Sequence, residues 1–178
     1  MNAIQIYTIG LLLVIGTSLA QSPSEDPLIS FDSLDMDSNS FLDHKEFAPC
    51  VRQKGEFGNW DTNKDSIIDY NEYSMNFFDL LDKDDNGQLV PEEWETLVTI
   101  TKKRFLFSSW DTDKNGTVTE SEFYSGLRRN DFFTSWDANF NGLDLSEYCR
   151  MVFSFTDEDE NNRITENEFY SYWGIKKE

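Results

Sequence analysis

Basic residues are scarce in this chain: 15 Lys plus Arg stand against 34 Asp plus Glu, which gives a formal net charge of −19 over 178 residues. Because nucleic-acid binding depends on basic patches that contact phosphates, this balance argues against a nucleic-acid partner. Histidine is nearly lacking too. The one histidine, His44, is predicted to be a solvated loop residue. No Ser–His or Cys–His pair can be assembled around it, so we do not expect an enzyme.

Cysteine is limited to Cys50 and Cys149. In an oxidising compartment, two cysteines allow one intramolecular bridge. We predict a disulfide that joins the two halves of the chain. Two buried thiols, or pairing between chains, are the alternatives.

Long hydrophobic runs are lacking after the first twenty residues, which themselves contain no charged side chain. Ile9–Ile15 is an apolar run of signal-peptide length, and Ser18-Leu19-Ala20 fits a small-x-small cleavage site. We therefore predict a secretory signal peptide over residues 1–20, with an uncleaved anchor as the alternative. The run is short for a spanning helix, and no later stretch is apolar enough to cross a membrane. Gln21–Pro27 is polar with two prolines, which predicts a disordered lead-in over residues 21–30.

Aromatic residues are abundant, at 15% of the chain. That proportion argues against a solvated acidic tail, because Phe, Trp and Tyr supply large buried surfaces. Some cation must then neutralise the carboxylates of a folded protein. Bound divalent cations would do so: +12 from six of them, for example, would leave −19 + 12 = −7, an ordinary net charge for a soluble domain.

The stretch Trp110–Phe123 has the spacing of a complete calcium-binding loop. Gly116 stands at its sixth position, where the backbone must turn sharply, and Thr119 at the ninth can hold a water. The first, third, fifth, seventh and twelfth positions offer the oxygen set that a cation of calcium's size takes, the seventh through its backbone carbonyl. These ligand positions are occupied by Asp111, Asp113, Asn115, Thr117 and Glu122.

Five further segments repeat this spacing. We number the six loops in chain order as Asp35–Glu46, Asp61–Glu72, Asp82–Glu93, Asp111–Glu122, Asp137–Glu147 and Asp157–Glu168. The predicted ligands of the other five are Asp35, Asp37, Asn39, Phe41, Asp43 and Glu46; Asp61, Asn63, Asp65, Ile67, Asp69 and Glu72; Asp82, Asp84, Asn86, Gln88 and Glu93; Asp137, Asn139, Asn141 and Glu147; and Asp157, Asp159, Asn161, Arg163 and Glu168.

The loops form a duplicated unit of three. Loops one and four start at residues 35 and 111, loops two and five at 61 and 137, and loops three and six at 82 and 157. The two halves are thus about 31–93 and 107–169, and the second copy has lost one residue inside loop five. An all-α array of helix–loop–helix units within one domain, 31–178, is predicted.

The connectors between loops are short enough to limit the helices. Nine residues have room for one helix, so Tyr73–Leu81 and Tyr148–Thr156 are predicted to be single helices shared by adjacent loops. The fourteen-residue connectors are expected to hold two short helices with a break, at Gly55 and Gly58 in the first copy. Phe and Trp residues before each loop and aromatics after each closing Glu are expected to form the core.

Pairing of loops through the aliphatic eighth position must join the halves, but the sequence leaves the partners open.

From Phe31 to Phe169 these motifs resemble the EF-hand superfamily. The signal peptide and the six loops are similar to the reticulocalbin and calumenin family in number of hands only. The connectors here are too short for that family, and Trp173–Glu178 lacks its HDEL-type retrieval signal. The resemblance implies Ca²⁺ as the ligand and secretion as the destination.

Loop quality is expected to differ. Loops three and four have Gly at the sixth position, and loop six has Asn162, which tolerates positive φ. Ser40 and Ser66 in loops one and two should weaken binding, offset by a fourth carboxylate at Asp43 and Asp69. Loop five either contracts so that Glu147 still reaches the ion or is vestigial, with weak binding favoured. Asn115-Gly116-Thr117 is a glycosylation sequon, expected to stay unmodified because Asn115 is a ligand.

We therefore expect a secreted calcium-binding protein that buffers or stores calcium or is stabilised by it. One alternative is a calcium-gated adaptor that opens a hydrophobic groove for an extracellular protein partner. Another is an acidic matrix protein that contacts calcium mineral. The mature chain has only three Met residues, which argues against an adaptable Met-rich groove.

Overall fold

The computed structural model describes residues 29–173. The predicted signal peptide, 1–20, and the lead-in up to residue 28 lie outside the described residues. The described chain is mostly helical, which confirms the coarse prediction of an α fold. Its helices are α1 Phe31–Leu34, α2 His44–Lys54, α3 Glu56–Trp60, α4 Tyr70–Leu81, α5 Pro91–Thr101, a 3-10 helix Phe107–Ser109, α6 Glu120–Arg129, α7 Leu145–Thr156 and α8 Glu166–Trp173, and its strands are β1 Gln88–Leu89 and β2 Val118–Thr119.

Helices α2, α4, α6 and α7 begin at reciprocal capping boxes. In each, an Asp or Thr side chain accepts a backbone N–H of the first turn, and a Glu three residues later accepts the N–H of the capping residue. Such caps each stabilise a helix by about 1 kcal/mol. The four pairs are Asp43 with Glu46, Asp69 with Glu72, Thr119 with Glu122, and Asp144 with Glu147.

The two nine-residue connectors each lie in a single helix, α4 and α7, as predicted. The break in the first fourteen-residue connector is confirmed at Gly55, which has φ 70° and where α2 ends and α3 begins. The expectation for Gly58 was wrong, because Gly58 lies inside α3. The second copy differs, because turns follow α6 instead of a second helix. There Asn130 Nδ2 donates to Gly126 O and Asp131 has φ 49°. Side-chain bonds of this kind compete with helix continuation.

Antiparallel bridges pair the loops, and every pair joins one loop of each half. β1 pairs with β2, so loop three lies beside loop four through Leu89 and Val118. Isolated bridges join loop one to loop six and loop two to loop five, through Leu42–Ile164 and Ile68–Leu143. Exchanging the two halves turns pair one–six into pair four–three and leaves pair two–five unchanged. The pairing therefore has an approximate two-fold symmetry that matches the duplication.

The core is aromatic and includes residues of both halves. The six bridging aliphatic side chains have no exposed surface. Around them lie edge-to-face aromatic pairs across the halves, such as Phe77–Phe123 at 6.0 Å and Tyr73–Phe133 at 5.1 Å between ring centres. His44 is exposed and lies within loop one, as predicted; it is also the first residue of α2, and it stacks on Phe153 of α7.

Cys50 lies on α2 and Cys149 on α7, two helices that pack against each other. Both thiols are buried and they are not bonded. The predicted disulfide is therefore not formed in the structure, which instead has the alternative of two buried thiols. Burial raises the pKa of the Cys50 thiol to about 12, against a smaller opposing effect of Lys54, so the thiol stays protonated at neutral pH.

Within residues 29–173, no helix combines the length and apolar character needed to cross a membrane.

Candidate metal centres

The first Asp of every loop organises the backbone around it. In loop four, Asp111 Oδ1 accepts the N–H of Asn115 at 3.1 Å, and Oδ2 accepts the N–H of Gly116 at 3.0 Å. The same two bonds to the fifth and sixth residues recur in the other five loops. Their acceptors are Asp35, Asp61, Asp82, Asp137 and Asp157.

The closing Glu of every loop folds back over the loop. In each loop its Oε2 accepts the N–H of the residue three positions before it, and its Oε1 accepts an N–H near the start of the loop. Both carboxylate oxygens are thus held toward the centre of the loop. The six residues are Glu46, Glu72, Glu93, Glu122, Glu147 and Glu168.

The backbone takes a left-handed conformation at the fourth and sixth positions of all six loops. The sixth position was predicted, but the fourth was missed by sequence reasoning. Its occupants share no chemical character that would signal positive φ. They are Ser38 (φ 56°), Lys64 (60°), Asp85 (56°), Lys114 (60°), Phe140 (61°) and Glu160 (59°).

Carboxylates converge in four of the loops. In each, three acidic residues have ligand atoms that all lie within 4.8 Å of one another. Loops two and five have Asn63 and Asn139 at the third position, so an amide oxygen stands where the other loops have a carboxylate. The four acidic groups are Asp35–Asp37–Glu46, Asp82–Asp84–Glu93, Asp111–Asp113–Glu122 and Asp157–Asp159–Glu168.

All buried carboxylates among residues 29–173 stand at the first or the closing position of a loop. They are Glu46, Asp61, Glu72, Asp82, Glu93, Asp111, Asp137, Glu147, Asp157 and Glu168, each at most 8% exposed. Of these ten, only Glu147 lies against a basic side chain, with its Oε1 3.6 Å from Arg150 Nη2. A buried charge without a counterion costs several kcal/mol, so this arrangement fits bound cations.

Hydrogen bonding lowers the pKa of two closing carboxylates, Glu122 and Glu72. Burial raises the pKa of Glu122, but hydrogen bonds donated by Thr119 and Thr112 outweigh it and lower the pKa to about 2. Glu72 also has a lowered pKa, because bonds from Asp69, Asn63 and Thr62 outweigh the opposing effect of burial. Both groups are therefore anionic acceptors at neutral pH.

Asp43 and Asp69, each predicted to be a fourth carboxylate toward the ion, also cap the exit helices, a role that sequence reasoning missed. Asp43 Oδ1 accepts the N–H groups of Lys45 at 2.7 Å and Glu46 at 2.9 Å, and Asp69 Oδ1 accepts the N–H of Glu72. The acidic group of loop one does not include Asp43. These side chains stabilise the exit helices, since an N-cap oxygen satisfies backbone donors of the first turn.

Loop five contracts around its missing residue. Glu147 Oε1 accepts Ala138 N–H at 3.0 Å and Oε2 accepts Asp144 N–H at 3.1 Å, as the closing Glu does elsewhere. Gly142, with φ 98°, is followed directly by the bridging residue Leu143. The missing residue is thus the seventh, whose carbonyl is a predicted ligand in the other loops.

The predicted seventh-position ligands, Phe41, Ile67, Gln88, Thr117 and Arg163, immediately precede the bridging residues. Only their carbonyls were predicted to bind, and their side chains face the partner loop. The Arg163 guanidinium lies 5.2 Å from the Phe41 ring centre. Thr117 Oγ1 lies 3.0 Å from Gln88 Oε1.

No protein-family model matches the chain, and no curated protein matches it.

Proposed function

We propose that this protein binds Ca²⁺ through EF-hand loops and works as a secreted calcium buffer or store, or as a protein that calcium stabilises. The observation that supports this most directly is the placement of the ten buried carboxylates. All stand at the first or closing position of a loop, and nine lack a basic partner. Cations that enter the loops neutralise them.

The donor set favours a hard cation. Carboxylate and amide oxygens suit Ca²⁺, Mg²⁺ and Mn²⁺, whereas Zn²⁺ and Cu²⁺ sites use imidazole or thiolate. The four acidic groups contain Asp and Glu only. Ca²⁺ accepts six to eight oxygens and a bidentate Glu, while Mg²⁺ demands a tighter octahedron. The two inward oxygens of each closing Glu therefore favour Ca²⁺.

Loops one, three, four and six are the strongest sites in this proposal, because their third position is a carboxylate. Loop two has an amide there, and loop five has both the amide and one carbonyl fewer. We expect loop five to bind most weakly. Affinities near 10⁻⁴–10⁻³ M, the range of extracellular calcium modules, suit buffering, and tighter sites suit a structural role.

The test is calorimetric titration of the purified protein with CaCl₂, repeated with MgCl₂. Five or six calcium sites at or below millimolar are expected, with magnesium binding weaker. Glu93→Gln and Glu122→Gln should each remove one site. Two sites or fewer in the unaltered protein would overturn the proposal. Calcium-induced binding of a hydrophobic dye would favour the adaptor alternative instead.

A further inference from the structure

The fifth-position ligand of loop four is held by Thr117. Asn115 Oδ1 accepts both the backbone N–H of Thr117 at 2.8 Å and its hydroxyl at 2.7 Å. An amide oxygen has two lone pairs, so these two donors fill its capacity. Asn115 Nδ2 in turn donates to Asp113 Oδ2 at 2.9 Å. A cation that binds Asn115 Oδ1 must therefore displace one of the two Thr117 donors.

The hydroxyl is the donor that can leave. The backbone N–H is fixed by the loop, whereas a hydroxyl hydrogen rotates about its C–O bond. The Thr117 hydroxyl has a second acceptor, Gln88 Oε1 of loop three, at 3.0 Å. A hydroxyl has one hydrogen and can serve only one of these acceptors at a time.

Gln88 can form a hydrogen bond with Thr117 in either orientation of the hydroxyl. When the hydroxyl donates to Asn115, Gln88 can turn its amide and donate from Nε2 to Thr117 Oγ1. When the hydroxyl is displaced, Gln88 accepts it through Oε1. The two arrangements differ by one rotation of the Gln88 amide, and each keeps a hydrogen bond between Gln88 and Thr117.

We infer that Thr117 and Gln88 form a two-state relay that couples cation binding in loop four to loop three. This inference rests on the proposed calcium function. Gln88 is the seventh residue of loop three and the first residue of β1, which pairs with β2 next to Thr117. Its side chain contacts Thr117 of loop four, and its carbonyl is the predicted seventh-position ligand of its own loop. Thr117 and Gln88 are positioning residues, acting through Asn115 and through β1.

Pair three–four is the one described pair with this hydrogen-bonded link. In pair one–six, the corresponding side chains make a cation–π contact between Arg163 and Phe41. In pair two–five, loop five lacks the seventh residue, and Ile67 lies over Gly142. Coupling through the β-bridge is available to all three pairs, so the relay adds to it only between loops three and four.

The coupling is measured as the ratio of loop-three calcium affinities with loop four intact and with loop four disabled by Glu122→Gln. Thr117→Val removes the hydroxyl and keeps the shape of the side chain. This ratio should fall about fivefold in Thr117→Val, which is the factor that one hydrogen bond of ordinary strength supplies. Adding Gln88→Leu should lower it no further, because both changes break one link.

A spectroscopic readout is independent of affinity. The Gln88 side-chain NH₂ signals in an ¹⁵N spectrum, assigned by their loss in Gln88→Leu, should move as loop four fills. In Thr117→Val this movement should disappear. Thr99→Val is the matched control: Thr99 Oγ1 donates to Glu95 O within α5, so its removal should leave both the ratio and the Gln88 signals unchanged.

The two proposals fail differently. An unaltered ratio and an unaltered Gln88 signal in Thr117→Val, with loops three and four still filling, would overturn the relay and leave calcium binding intact. Failure of loops three and four to bind calcium in the unaltered protein would overturn the proposed function. If Thr117→Val does not fold, Gln88→Leu alone decides, because Gln88 is exposed and its ratio must also fall.

Discussion

Gly126 of α6 packs directly against the indole ring of Trp110, the residue that precedes loop four. A Cβ at this position would lie 2.5 Å from Trp110 Cδ2, and its other near neighbours belong to the same ring. Trp110 is only 1% exposed, so its ring is packed within the core. At this site the absence of a side chain is what lets α6 approach loop four.

Gly126→Ala should therefore destabilise the protein by about 1–3 kcal/mol, the usual effect of overpacking a close-packed core. Urea unfolding in saturating calcium measures it. Gly58→Ala in α3 is the control, because its Cβ meets nothing within 4 Å and Ala favours helix by about 1 kcal/mol. Equal effects of the two substitutions would contradict the packing seen at Trp110.

Glu56 is a partly buried carboxylate outside the loops and has its own pH dependence. Burial raises its pKa to about 6, against a smaller opposing effect of Lys54. Because the folded-state pKa lies above the unfolded value, the protonated form favours folding at low pH. That contribution is lost as the pH rises through about 6. Ionised Glu56 then costs about 2 kcal/mol at neutral pH, since one pKa unit corresponds to about 1.4 kcal/mol.

Glu56→Gln should stabilise the calcium-loaded protein by up to about 2 kcal/mol at pH 7.5, and by less than half of that at pH 5. Chemical unfolding at both pH values measures the gain. Glu95→Gln, at an exposed position on α5, controls for the change in net charge. A gain from Glu56→Gln that is the same at both pH values would show that burial of the charge is not its cause.

At the scale of the elements, the helices were more predictable than the loop partners. The nine-residue connectors had room for one helix only, so α4 and α7 followed from counting. The partners could not be predicted, because the bridging residues are all Leu, Ile or Val and are chemically interchangeable. What separates the pairs lies one position earlier, where Phe41 contacts Arg163 and Gln88 contacts Thr117. These contacts become meaningful only once the partner is known.

For the loop residues too, the positions that depend on residue type were predictable, whereas roles that depend on the surrounding structure were not. The first, sixth and closing positions follow from residue type, and the structure places them alike in all six loops. The capping role of Asp43 was hidden, because a carboxylate at the ninth position suits a metal ligand and an N-cap equally well. The left-handed fourth position was hidden because residues as different as Lys64 and Phe140 occupy it.

In pair two–five, loop five lacks its seventh residue, and Gly142 lies directly against loop two. A Cβ on Gly142 would overlap Cγ2 of Ile67 and lie 3.0 Å from Ile68 O, at a φ of 98°. Gly116 has a similar φ of 92°, but nothing lies within 4 Å of the corresponding atom. Comparing alanine substitutions at these two glycines therefore separates the effect of the positive φ from the effect of contact with the partner loop.

Gly142→Ala should destabilise the protein more than Gly116→Ala does, by about 1–3 kcal/mol, since only the former adds a steric overlap to the strained φ. Thermal unfolding of both variants in excess calcium gives the comparison. Ile67→Ala should recover part of the loss in Gly142→Ala and none in Gly116→Ala. No recovery would mean that the overlap with Ile67 is not responsible.

For the whole molecule, the cross-half pairing makes each half depend on the other. All three bridging residues of the first half, Leu42, Ile68 and Leu89, have their partners in the second half. Lys102, which follows α5, also donates to Ser154 O and Asp157 O at the end of α7. A half on its own keeps its local loops but loses every bridge, together with the aromatic contacts between halves.

Cutting the chain between Lys103 and Arg104 should therefore give two fragments that are poorly helical and bind calcium at least tenfold more weakly than the intact chain. Mixing them in calcium should restore the helical signal in a 1:1 complex, as measured by circular dichroism and sedimentation. Because the pairing is nearly symmetric, a fragment at high concentration can also pair with a second copy, matching loop one with loop three and loop two with itself. Such a dimer would be consistent with the prediction, because each loop would still pair with a loop of another half. A monomeric fragment with full helicity and three strong sites would contradict the prediction, since the bridges would then be dispensable.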